Sequence, residues 1–95
     1  MYLGAFHFDG DVDDLVPAYQ RMMSGFDAAT LDLHICAVGT KGIVVIDACP
    51  SEDVFRGFSN SPEFRDAYRR AGLPDPTIEQ LGTVHTALLR QAVSG

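Results

Sequence analysis

The spacing of apolar and polar positions changes several times along the chain, and each change marks an element. Tyr2 to Phe8 is an apolar and aromatic run stopped by Asp9-Gly10, a turn signal, and it predicts a strand. Val12, Leu15, Val16, Tyr19, Met22, Met23 and Phe26 then recur at the spacing of one helical face. Asp11, Asp13 and Asp14 precede or open that helix, where caps and the positive end of the helix dipole favour acids. Pro17 places the start of the regular helix at Asp13 or Asp14, so that the proline falls in the first turn. Gly25 before Phe26 reads as a C-cap with its hydrophobic contact.

A hairpin follows. Leu31 to Val38 alternates, Ile43 to Ala48 is rich in β-branched residues, and Gly39-Thr40-Lys41-Gly42 lies between them. An even loop gives a register in which facing residue numbers sum to 81, pairing Leu33 with Ala48, Ile35 with Ile46 and Ala37 with Val44 on one wholly apolar face. The other face pairs His34 with Asp47, Cys36 with Val45 and Val38 with Ile43. Ser51 caps a second helix whose stripe is Val54, Phe55 and Phe58. Ser61-Pro62 restarts that helix after a break, Phe64, Ala67, Tyr68 and Ala71 continue the stripe, and Gly72-Leu73-Pro74 ends it. Thr77 to Thr86 reads as a last strand with a bulge or kink near Gly82, and a short helical tail is expected from Ala87 onward.

The order β-α-β-β-α-β over residues 1–95 is that of a single ferredoxin-like α+β domain. Its antiparallel sheet of four strands has the order 4-1-3-2, and both helices cover one face. The uncovered face is expected to be the one carrying Val38, Ile43, Val45 and Cys36 beside polar groups. Leaving it in water costs about 25 cal/mol per Å² of apolar area, so a homodimer packed through this face is expected.

Composition narrows the function classes. Among 95 residues, 13 acids against 7 bases give a formal charge of −6, which disfavours a nucleic-acid partner. The N-terminal stretch has neither the basic flank nor the apolar run of a signal peptide, and no segment reaches the length of a membrane span. With two cysteines and no disulfide framework, the expected compartment is the cytoplasm, without a membrane partner.

Two stretches carry a family likeness: Val44-Val45-Ile46-Asp47-Ala48-Cys49-Pro50-Ser51-Glu52-Asp53-Val54-Phe55, and Ser61-Pro62-Glu63-Phe64 with the later Gly72-Leu73-Pro74 and Val84-His85. With the order of elements, they resemble the dimeric α/β-barrel superfamily that includes the antibiotic-biosynthesis monooxygenases. The resemblance implies two subunits packed sheet to sheet and a cavity for an aromatic or polyketide-like molecule. Members include cofactor-independent oxygenases, isomerases, cyclases, haem-degrading enzymes and proteins with no known activity. The Asn on the first strand and the His on the second helix that mark the haem-degrading members are missing here, which argues against haem. No glycine loop for a dinucleotide is present either, so no cofactor is expected.

His34 opposite Asp47 is the most specific polar feature. Opposed side chains on an antiparallel pair have Cβ atoms about 4.5–5.5 Å apart, close enough for an imidazole–carboxylate hydrogen bond. Such a bond fixes the imidazole tautomer for acid–base work, and it also serves simply to satisfy two polar groups on a half-buried face. His85, on the last strand, is a third candidate if it approaches Asp47 from the other side. His7 ends the first strand, away from Asp47 and toward solvent. No H-x-H or H-x₃-H spacing supports a metal. Cys36 and Cys49 are about 13 Å apart in this register, too far for a disulfide, and both read as structural. Tyr19, Met23, Cys36, Phe55, Phe58 and Tyr68 are either core or the lining of an aromatic-ligand pocket. Two functions stay open: a cofactor-independent monooxygenase or isomerase/cyclase in which His34, Asp47 and His85 handle protons, and a non-catalytic binding or structural module.

Overall fold

The strands, caps and breaks fall close to these expectations in the computed structural model, which describes residues 1–27 and 31–89. The elements are β1 (Tyr2–Asp9), α1 (Val12–Ser24), β2 (Leu33–Val38), β3 (Gly42–Cys49), α2 (Glu52–Ser59), α3 (Pro62–Ala71) and β4 (Thr77–Thr83). The sheet runs β2-β3-β1-β4 with every neighbouring pair antiparallel. This is the expected ferredoxin-like order, with the second helix broken into α2 and α3. Residues 87–89 have no regular structure, and the rest of the expected helical tail lies outside the described residues.

Helix ends follow side-chain chemistry. Asp11 caps α1 by accepting from the Asp13 amide, Ser51 caps α2 through the Val54 amide, and Ser61 caps α3 through the Phe64 amide. Pro62 opens α3, where its missing N–H costs no helical bond, and Gly72 ends it in the left-handed conformation. The start of α1 differs from expectation. The helix begins at Val12, so Pro17 sits in its second turn and withdraws a donor from the Asp13 carbonyl. Asp13 is exposed, so water can satisfy that carbonyl.

The hairpin has the expected register: Leu33 faces Ala48, His34 faces Asp47, and Val38 faces Ile43. The Gly39 amide closes the loop on the Gly42 carbonyl at 2.8 Å. Gly42 has φ 149°, and a Cβ there would lie 2.1 Å from the Phe8 carbonyl oxygen, so β1 and the loop approach only because this residue is glycine. β4 shifts register between Leu3 and Gly4 of its partner, the expected bulge beside Gly82.

The two faces of the sheet are exchanged relative to expectation. β1 decides this. Its partners are Tyr2 with Cys49, Gly4 with Asp47, Phe6 with Val45 and Phe8 with Ile43. These residues are buried under the helices, where Phe6 packs on Phe55 and Phe64, and Phe8 on Tyr68. The side carrying His34, Cys36, Val45 and Asp47 is therefore the covered one. Leu3, Ala5, Leu33, Ile35, Val44, Ile46 and Ala48 lie on the face away from the helices, with His7 bonded to Glu79 at 2.9 Å beside them. Volume is the physical reason. Three aromatic side chains from β1 need the thick layer beneath the helices, and Gly4 leaves the space into which Phe55 inserts.

Candidate functional site

Since the helix-covered face carries His34 and Asp47, the pair is enclosed. Asp47 lies in central strand β3 and its side chain is 4% exposed, while His34, on edge strand β2, is 18% exposed. His34 Nδ1 lies 2.5 Å from an Asp47 carboxylate oxygen. An ionised carboxylate only accepts, so Nδ1 carries the proton and donates it. Nε2 is then the lone-pair nitrogen, and the Tyr19 hydroxyl reaches it from α1 at 2.5 Å. The Tyr19 and His34 rings lie in nearly parallel planes, but their centroids are 5.9 Å apart, so the contact is end-on through the hydroxyl and not a face-to-face stack.

The result is a Tyr19–His34–Asp47 array across three elements. Burial pushes the Tyr19 phenol up to about 12, and the neighbouring Cys36 and Asp47 add to the shift. Tyr19 therefore stays a neutral hydroxyl that donates to Nε2 at neutral pH. Burial also raises the Cys36 thiol, and burial followed by Asp47 and Asp32 raises Cys49. Both thiols are free and stay protonated, which removes them as nucleophiles near neutrality.

A cavity of about 320 Å³ opens between sheet and helices against this array. His34 and Asp47 form part of its wall, Phe6, Phe8 and Val45 its sheet side, and Met22, Met23, Phe26, Phe58 and Phe64 its helical side. Its mouth carries Glu63, Ala67 and Arg70 from one face of α3. The volume is at the small end of ligand sites, about 300–1,000 Å³, and the lining has their usual make-up of aromatic walls with few polar groups.

The structure brings the expected residues together only in part. His34, Asp47, Met23 and Phe58 reach the cavity. Tyr19 bonds to His34 and does not line it. Cys36 packs beside the core next to Tyr19, and Phe55 and Tyr68 are buried core, the first wedged over Gly4 and the second against Phe8 and Phe64. His85 stands apart from Asp47. It is exposed beyond the end of β4, with its ring on the Thr86 hydroxyl at 2.8 Å, and lines a separate surface depression. The sequence reading missed the bond from Tyr19 to His34 and the positions of Phe26 and Arg70. The bulky first strand held the signal, because it fixes which face α1 covers. Among the described residues no three His, Cys, Asp or Glu side chains gather as metal ligands would, and no helix is long and apolar enough to cross a membrane.

Fold and site together define a ferredoxin-like α+β domain with a ring-lined cavity between sheet and helices and an imidazole–carboxylate pair in its wall. The fold is that of antibiotic-biosynthesis-monooxygenase-type proteins. The chain is similar over its full length to the crystal structure of a Deinococcus radiodurans protein proposed to be such a monooxygenase, with a TM-score of 0.56, 11% identity and 100% of both chains covered. No protein-family model matches the sequence, and no curated protein matches it.

Proposed function

We propose that the chain binds a small aromatic or polyketide-like molecule in the cavity and moves a proton on it through His34, as a cofactor-independent monooxygenase or an isomerase/cyclase. The observation that carries this reading is the His34–Asp47 pair set in the wall of an otherwise apolar cavity. A ligand that displaces the Tyr19 hydroxyl presents an acidic C–H to Nε2. His34 takes the proton there, and the buried carboxylate at Nδ1 stabilises the imidazolium that results. General-base help of this kind is worth roughly 10²–10⁴ in rate. His85 has no part in the step.

The same array supports a second reading, a binding module without chemistry. Both imidazole nitrogens already have partners, and among the described residues no buried side-chain nitrogen or oxygen lacks one. One experiment separates the two. Anthrone, an aromatic ketone with an acidic ring C–H, is incubated with the protein in D₂O without metal or cofactor. Deuterium exchange at that carbon is followed by NMR, and oxygen uptake is followed in parallel. Exchange that falls at least a hundredfold in Asp47→Asn and His34→Gln supports catalysis, and oxygen uptake assigns it to oxygenation. Exchange no faster than in the variants leaves the binding module.

We also propose a homodimer through the open sheet face. Leu3, Ile35, Val44 and Ile46 form an apolar surface there that no element among the described residues covers, and Ile35 is 43% exposed.

A further inference from the structure

Six of the seven basic side chains in the chain are arginines, and the described ones are mostly engaged. Arg56 pairs with Glu52, Arg69 forms two bonds to Asp75 at 2.9 and 3.0 Å, and Arg21 donates to the Ala71 carbonyl. Arg70 differs. It lines the cavity and is exposed, so it stands at the mouth. Asp66 lies one helical turn before it, in good position for an i, i+4 pair, yet Arg70 reaches only the Asp66 backbone carbonyl, at 3.4 Å. Among the described residues its guanidinium has no carboxylate partner.

Glu63 lies on the same face of α3, seven residues earlier and so about 10 Å along the axis. No ion pair among the described residues joins it to Arg70, and it would repel an anion at its own end. The mouth is therefore polarised, with a cation at one end, a carboxylate at the other and aromatic rings between.

We propose that Arg70 reads an acidic group on the cavity's ligand, so that the ligand class is a ring-bearing carboxylic acid held with its acid at the mouth. A guanidinium presents paired N–H donors that match a carboxylate, and it keeps its charge at every relevant pH. The aromatic walls of Phe26, Phe58 and Phe64 hold the ring body. The inference rests on the cavity being a binding site and holds for the catalytic and the binding-module readings alike.

Calorimetric titration with 2-naphthoate and with its neutral amide, 2-naphthamide, tests it at low and moderate salt. The protein should bind the acid five- to tenfold more tightly than the amide, with the preference shrinking as salt rises. Arg70→Gln should abolish the preference, whereas Arg65→Gln, on the same helix but off the cavity, should keep it. Equal binding of the two probes by the unmodified protein, or a preference that survives Arg70→Gln, overturns the role of Arg70 and leaves the cavity as a binding site. Binding of neither probe overturns the cavity reading and this inference with it.

Discussion

Gly4→Ala is the substitution whose cost the structure fixes most directly. A Cβ built on Gly4 lies 2.1 Å from two ring carbons of Phe55 and 2.8 Å from a third. Carbon atoms in ordinary contact are about 3.5–4.0 Å apart, so the ring would have to retreat by about 1.4 Å. It has nowhere to go. Phe55 is fully buried, with the rings of Tyr2 and Phe6 centred 5.7 and 5.5 Å away. Overpacking a dense core costs typically 1–3 kcal/mol, and the shortness of this contact puts Gly4→Ala near 3 kcal/mol. In a domain of this size each kcal/mol shifts the melting point by about 4–8 °C, so a fall of roughly 12–24 °C is expected. Urea unfolding followed by circular dichroism measures the change at a constant m-value. In the double variant Gly4→Ala/Phe55→Leu the smaller side chain makes room, so its loss should fall short of the sum of the single losses by at least about 1 kcal/mol. A Gly4→Ala protein within about 0.5 kcal/mol of the original, or strict additivity in the double variant, would refute the claim that Gly4 exists to seat Phe55.

Other outcomes follow from the site and the sheet. His34→Ala strands the Asp47 carboxylate in the interior and should cost about 3 kcal/mol, whereas His34→Ala/Asp47→Ala should cost clearly less than the two single changes added; additive losses in denaturation would deny the pair. The Tyr19 phenol should titrate near 12 against an ordinary 10.0, read as the ultraviolet difference between the protein and Tyr19→Phe. A raised folded value leaves its contribution to stability whole below pH 10 and removes it as pH rises through about 12, so Tyr19→Phe should flatten the alkaline loss of stability in that window; an identical profile would contradict it. Ile46→Asp on the open sheet face should give a monomer by light scattering at micromolar concentration, and either a monomeric parent or an unaffected dimer would remove that face as the interface.

The alternation of Leu33 to Val38 and Ile43 to Ala48, together with the even loop at Gly39 to Gly42, was enough to place His34 opposite Asp47. Caps at Ser51 and Ser61, the break before Pro62 and the bulge beside Gly82 were also legible, because each depends on a residue's own conformation or on bonds to its near neighbours. What the sequence could not rank was two apolar faces. Period-2 alternation separates the faces of a strand without saying which lies under the helices, and here both faces of the hairpin carry apolar residues. Packing volume made that choice through Phe6, Phe8 and the space above Gly4, and it carried the His34–Asp47 pair inward with it. The bond from Tyr19 to His34, the cavity, Arg70 at its mouth and the separation of His85 from Asp47 all depend on how α1, α3 and β4 sit against the sheet. These are contacts between residues far apart in sequence, set by three-dimensional packing, which no local pattern along the chain encodes.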